Sequence, residues 1–521
     1  MLDRRKVLKA LAATSAAAAT RTTAGALAPS AGLKSLVPNQ PSKSPNYWCT
    51  WAVQNYAYGQ GLPALDTVLL EGDSGSKLAH DAMSEQVLLG QNGWAATFHA
   101  RVRKDLYLLL DDGWETGGTA TFELDPVKFS SFKGSNQDRL RALNQEIERI
   151  GWRGAALWCR NTPGGAADMP LENECSKAGI SYWKIDIGDP AFNLIRLRND
   201  ARFALTLEHV HGESAVNGDW KHDGRFGPQP WESKRIEILR HTDVYRTYDV
   251  TSILSLPTTL DRVTEMLRSA AGHADMRGLL NVEDEVYVAA VLGCTMGVMR
   301  HPLHGLRPGR DADLFFNGPR KPKQRMDEVV RALRWQRIAE PFASGIGSFK
   351  TSDEILTDSW TFTAGETWER DLVGNTVWQG APAVLARNIS LPEVKAKGEK
   401  PFVFAARFPN GAVAVGAQER TRPEDGWFMP RCEVIVDAGD APGPFGIFGD
   451  LDGLTLSFTK AHAGRRVLAQ DLAGDEPADI TSRVEFKGAS LYLSGGVLRE
   501  AGLRNGTPGD LSSPGAIVVL V

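Results

Sequence analysis

From about Tyr47 to Gly347 the chain alternates short apolar runs with longer stretches of helical periodicity. Few patterns constrain a fold so much, because parallel strands joined by helices bury both kinds of apolar surface together. The apolar runs predict strands at Trp48–Val53, Asp105–Leu110, Gly154–Cys159, Tyr182–Ile187, Phe203–Glu208, Asp243–Tyr248 and Leu279–Val282, with an eighth at Val298–His301. Leu140, Leu143, Ile147 and Ile150 share one face of a helix over Asp138–Ile150, and Pro257–Ala271 and Gln324–Ala339 read as two more. Eight strands in roughly 300 residues match a (β/α)8 TIM barrel. A doubly wound open sheet is the competitor, but it usually carries a Gly-rich phosphate loop after its first strand, and none stands there.

After about Ser348 the texture changes. Trp360–Phe362, Pro401–Ala406, Ala412–Gly416, Cys432–Val436, Leu454–Phe458 and Val484–Phe486 are short, β-prone and punctuated by Pro, Gly and Asp. The expected fold class is therefore α/β: a barrel over residues 47–348, then a C-terminal antiparallel β-sandwich over 349–521.

The first residues carry a separate signal. Asp3-Arg4-Arg5-Lys6-Val7-Leu8-Lys9 resembles a twin-arginine export signal. A weakly apolar Ala/Leu/Thr stretch follows, and Ala26-Leu27-Ala28 supplies small residues before a cleavage point. Residues 1–28 thus read as a signal peptide and 29–46, rich in Pro and Ser, as a linker. Polar residues interrupt the stretch too often for a stable membrane span, so a periplasmic or secreted bacterial protein, not membrane-inserted after processing, is expected. The alternative is an Ala-rich N-terminal helix or arm. Five scattered cysteines without CxxC spacing make neither a disulfide framework nor a zinc site, although one bridge stays open. A formal net charge of −4 offers no basic footprint for nucleic acid.

In a barrel the chemistry sits where strands end. The second strand ends in Asp111-Asp112-Gly113-Trp114, two carboxylates able to accept sugar hydroxyls and a ring able to stack on them; a solvated turn is the alternative. In the fourth, alternation puts Tyr182, Lys184 and Asp186 on one face. A cation two residues before a carboxylate keeps it ionised, as a nucleophile requires, unless the two simply form a structural pair. The sixth strand leads through Arg246 to Asp249, a second carboxyl. Two carboxyls suffice for glycoside hydrolysis, one attacking the anomeric carbon and one protonating the leaving oxygen. Fourteen Trp, among them Trp48, Trp51, Trp114, Trp158 and Trp183 on or just beyond these strands, agree with aromatic walls around a sugar. His209 and His211 near Glu208 and Glu213 read as a loop lining the site with neutral imidazoles, in preference to a metal site. Of Glu283, Asp284 and Glu285 after the seventh strand, Asp284 is expected to reach the site and the others to cap the next helix.

In this order and at these positions, Asp111-Asp112-Gly113-Trp114, Lys184-x-Asp186 and Arg246-x-x-Asp249 resemble the α-galactosidase group. That group comprises glycoside hydrolase families 27 and 36, and more loosely 31, which form clan D. The Trp-rich opening Tyr47–Trp51 and Gly154–Trp158 resemble its first and third strands. The resemblance covers residues 47 to about 345 by motif and the C-terminal part only by position. It implies that Asp186 is the nucleophile and Asp249 the general acid/base. It further implies that Asp111, Asp112, Lys184, Glu208 and Arg246 contact sugar, with Glu208 reading the 2-substituent; Trp51, Trp114 and Asp284 are expected sugar contacts from their places at the strand ends. No cofactor and no metal are implied; the partner is an α-linked oligosaccharide or glycoside. The Arg246–Asp249 spacing is closer to family 36, which keeps Asp243 as an alternative acid. Asp189 and the His-rich insert depart from the galactosidases, leaving the sugar open, an arabinopyranoside included. A transglycosylase on the same site and a non-catalytic carbohydrate-binding barrel stay as alternatives.

Overall fold

The computed structural model describes residues 32–54, 80–116, 123–160, 174–186, 206–210, 225–226, 238–246, 254–303, 324–362 and 374–521. Its N-terminal part is a parallel sheet of β1 (Asn46–Cys49), β2 (Leu106–Leu110), β3 (Ala155–Arg160), β4 (Tyr182–Asp186), β5 (Thr206–Val210), β6 (Val244–Arg246), β7 (Leu279–Glu283) and β8 (Thr295–Val298). Each strand pairs with the next, and β8 returns to β1 through Tyr47↔Gly297 and Trp48↔Val298, so the sheet closes on itself.

Strand alternation sorts the side chains into two sets. Trp48, Leu108, Trp183, Tyr245, Leu280 and Val282 join the apolar layer beneath the helices. Their neighbours Tyr47, Tyr107, Tyr182, Lys184, Arg246 and Glu283 point the other way, into the closed sheet. Contacts between strands that are not neighbours settle this, since only the interior allows them. The Tyr47 ring meets that of Tyr182 at 5.9 Å, and Tyr182 meets Tyr107 at 5.2 Å.

Helices cover the outside. α1 (Asn136–Ile150) starts two residues before the expected Asp138, because Ser135 and Asp138 close a capping box; it ends at Gly151, whose φ of 107° is left-handed. α2 (Ser255–Ala270), α3 (Val286–Leu292) and α4 (Met326–Gln336) follow. Every residue of α3 is buried, as its unbroken Val-Tyr-Val-Ala-Ala-Val-Leu run requires. The eighth strand lies at Thr295–Val298 and not at the expected Val298–His301. The Asp284 carboxylate takes the amides of Met299 (2.9 Å) and Arg300 (3.4 Å), which ends strand pairing there.

The C-terminal part is β-rich. An eight-stranded sheet faces a five-stranded one, and Val403, Val415 and Ile447 of the first meet Val434, Leu454 and Leu491 of the second in one apolar cluster. On its other face the larger sheet sends Phe402, Phe404, Phe448 and Ile517 into the core beneath α3 and α4. The expectation of a purely antiparallel arrangement is corrected. Val384–Arg387 pairs parallel with Phe402–Arg407, Val413–Gln418 with Phe445–Phe448, and Cys432–Gly439 with Gly453–Phe458. In the first and third pairs the one intervening strand belongs to the opposite sheet; in the second, a two-stranded hairpin of Arg420–Arg422 and Gly426–Phe428 intervenes together with Cys432–Gly439 of the opposite sheet. A helix at Gly495–Gly502 also stands where none was expected; its three glycines mask the helical pattern. Arg331 of α4 and Asp471, neither exposed at all, join at 2.9 Å and fasten the two parts together. All five cysteines are buried, and none is in a disulfide.

Candidate functional site

The polar residues that alternation turns inward form one cluster where the strands end. Lys184 Nζ donates to Asp111 Oδ2 at 2.7 Å, a contact from β4 to the residue just beyond β2. Both side chains are almost wholly buried. Cys49 Sγ, the last residue of β1, donates to the same oxygen at 3.0 Å and lies 3.9 Å from Lys184 Nζ. Burial above all, then the Asp111 carboxylate, pushes the Cys49 thiol well up, so it stays a neutral donor. Two backbone-anchored bonds complete the setting: the Asp111 amide donates to Thr50 Oγ1 at 2.9 Å, and the Asp112 amide to Asp111 Oδ1 at 2.9 Å.

A second ion pair lies beside the first. Arg246 Nη1 donates to Glu283 Oε1 at 2.7 Å, and the Tyr47 hydroxyl donates to the same oxygen at 3.2 Å. The two pairs share one field. Burial and the Arg246 charge each pull the Lys184 ammonium down, but Asp111, Cys49 and Glu283 outweigh them and hold it above its ordinary value. Since the thiol is neutral, the carboxylates of Asp111 and Glu283 carry that effect. Among the described side chains, two cations and two carboxyl groups thus stand together in the interior, where each needs the others to offset desolvation.

Asp112 stands at the rim of the cluster. Its Oδ2 lies 2.8 Å from His80 Nε2. Here the chain before β2 passes so close to Gly113 that a Cβ at Gly113 would sit 2.7 Å from His80 Cα, and Gly113 takes a φ of 113°. Lys128 Nζ clamps the contact, donating to the carbonyls of His80 (2.8 Å) and Gly113 (2.9 Å). Asp112 raises His80 above its ordinary value, against the opposing effect of burial. Burial first, then Asp112, pushes Glu115 up to about 7.

This corner makes stability depend on pH. Between about pH 4.5 and 7 the folded chain keeps on Glu115 a proton that the unfolded chain has released, so stability falls as pH rises. His80 acts in the same sense: the stability of its charged pair is present below its ordinary 6.5 and is lost as pH rises through the raised folded value. Glu115→Gln is therefore expected to exceed wild type in stability at pH 8, by at most about 3 kcal/mol, and to match it near pH 4. Thermal unfolding midpoints across that range decide it; a difference that stays constant with pH counts against the argument.

The residues singled out from sequence divide as follows. Asp111, Lys184 and Arg246 come together, and Asp112 lies next to them. Trp51 is half-buried in the helical turn just after β1. Asp186 ends β4 in register with Arg160, and Glu208 lies on β5 in register with Lys184; their side chains fall outside the described part. Asp249, Asp189, His211 and Glu213 lie outside the described residues.

Several expectations are corrected. Trp114 is fully buried and donates its indole N–H to the Trp158 carbonyl at 2.9 Å, so it is a core residue with no ring face left for a sugar. Trp48, Trp158 and Trp183 are buried as well. Asp284 does not join the cluster: its carboxylate turns to the Met299 and Arg300 amides from a left-handed φ of 53°, and Glu283 takes the inward place. Asp243 precedes β6, at the end of the sheet away from the cluster, which removes it as an alternative acid. Glu285 accepts from Ser255 Oγ at the start of α2 and makes no side-chain cap on α3. Glu283, Cys49, Tyr47 and His80 were missed. Alternation from Asn281 would have found Glu283, whereas His80 carries no local signal.

Among the described residues, no group of three or more His, Cys, Asp or Glu is placed to hold a metal ion. No helix among them is long and apolar enough to cross a membrane. No protein-family model matches the sequence, and no curated protein matches it.

Proposed function

We propose that the chain is a secreted retaining exo-α-glycosidase, similar to the α-galactosidases, working at the strand ends of a (β/α)8 barrel. The observation that carries this reading is the meeting of Asp111, Lys184 and Arg246 inside a closed parallel sheet, at the end where β4 terminates in Asp186. A purely structural interior would fill these positions with branched apolar side chains. Here the site has donors and acceptors of both signs, which suits the hydroxyl groups of one sugar ring.

The division of labour follows from the chemistry. Asp186 attacks the anomeric carbon and Asp249 protonates the departing oxygen; Asp249, now a base, then activates water to release the sugar with its configuration retained. Lys184 and Asp111, locked to each other, offer a fixed donor and acceptor to ring hydroxyls, and Arg246 supplies a second rigid donor set. Residues 1–28 would export the enzyme by the twin-arginine route before the barrel meets its substrate.

The test is turnover of a panel of aryl α-glycopyranosides, galactoside, glucoside and arabinoside, with the product anomer followed by NMR. Turnover of at least one, with the α-anomer appearing first, is expected. First appearance of the β-anomer rules out retention. Sugar binding measured by calorimetry without any turnover favours the carbohydrate-binding alternative, and product glycosides formed in preference to free sugar favour a transglycosylase.

A further inference from the structure

We propose that Glu283 is the positioning residue for Arg246, and that Gly297 leaves β8 without a side chain so that it can do so. The proposal rests on the glycosidase reading for what Arg246 contacts, but not for how Arg246 is held.

A single oxygen, Glu283 Oε1, collects Arg246 Nη1 from β6 at 2.7 Å and the Tyr47 hydroxyl from β1 at 3.2 Å. β8 lies between β7 and β1 in the closed sheet, and its Gly297 pairs with Glu283 on one side and Tyr47 on the other. The two side chains therefore meet across the inward position of Gly297. A Cβ there would stand 2.7 Å from the Tyr47 hydroxyl oxygen and 2.9 Å from Glu283 Cγ. No left-handed backbone asks for glycine at this position, so space is the reason for it. Glu283 is wholly buried.

The electrostatics give the arrangement a purpose. Arg246 opposes the charge on Lys184, while Glu283 supports it. Without Glu283, Asp111 would be the one carboxyl group among the described side chains facing the two neighbouring cations, and Arg246 would move away from Lys184. With it, the two cations can present donors side by side to one substrate.

Three variants test this. Glu283→Gln keeps the size and an acceptor but removes the charge; Glu283→Asp keeps the charge and draws it back by one methylene; Gly297→Ala wedges Tyr47 and Glu283 apart without changing any charge. On the best aryl glycoside, Glu283→Gln is expected to lose roughly 100-fold in kcat/KM, mostly through KM, because a substrate-gripping group is misplaced. Glu283→Asp should recover part of that loss, and Gly297→Ala should raise KM in the same way. Crystal structures of wild type and Glu283→Gln give a readout free of turnover: Arg246 displaced from its wild-type place supports the proposal, and Arg246 unmoved overturns it. Unchanged KM in both Glu283→Gln and Gly297→Ala likewise overturns it. If Glu283→Gln does not fold, Gly297→Ala carries both readouts. If wild type hydrolyses no glycoside, the glycosidase reading fails while the crystal structures still decide this proposal.

Discussion

Asp186→Ala is expected to lose about 10³-fold or more of the turnover of an aryl α-glycoside, with folding and sugar binding little changed. That loss corresponds to about 4 kcal/mol of transition-state stabilisation. The reason lies in the chemistry proposed for the site: removing the attacking carboxylate removes the covalent intermediate, and no other group is proposed to attack the anomeric carbon in its place. On that chemistry a small anion should take the place of the missing carboxylate. Azide should restore turnover and give the β-glycosyl azide, because it attacks from the side where Asp186 stood. Rescue is the telling part, since a merely unfolded variant is not rescued by azide. Undiminished turnover in Asp186→Ala would sink the mechanism, and an α-glycosyl azide would place the nucleophile elsewhere.

Strands of the N-terminal parallel sheet were most legible where they form continuous apolar runs. Leu106–Leu110, buried at all five positions, reads as a strand covered on both faces. β8 was displaced by three residues because Thr295-Met296-Gly297-Val298 has no such contrast with Met299 and Arg300, and what stops it is Asp284, a contact made across the chain. Alternation along β4 exposed Lys184, and the Arg246-x-x-Asp249 motif singled out Arg246, yet neither revealed their partners. Lys184 pairs with Asp111 across the sheet, and Arg246 with Glu283. Choosing Asp284 over Glu283 gave more weight to the loop than to the period of two that begins at Asn281. Trp114 looked like a sugar platform because its neighbours are carboxylates; its burial depends on Trp158, forty-four positions away. In the C-terminal part single strands were legible but their pairing was not, since parallel pairing there follows from strands that switch sheets.

Lys184→Met is the second large effect, and it separates the structural role of the cluster from its chemical one. Methionine matches the lysine stem closely enough to keep the packing, so what is lost is the ammonium group. Asp111 then stays buried with the Cys49 thiol and the Asp112 amide as donors but without the cation 2.7 Å away. Breaking a buried pair from one side costs about 3–5 kcal/mol, because the remaining charge is left uncompensated. The retained donors place this case at the lower end, so a loss of about 3 kcal/mol is expected in chemical or thermal unfolding. Activity should fall by about 100-fold or more through loss of the donor and of the Asp111 orientation. The double variant Lys184→Met/Asp111→Asn separates the two effects. It removes the stranded charge, so most of the stability should return, whereas activity should stay as low as in the single variant or fall further. Stability that does not recover in the double variant would show that the ammonium acts through packing and not through charge. Activity that recovers would remove both residues from the site.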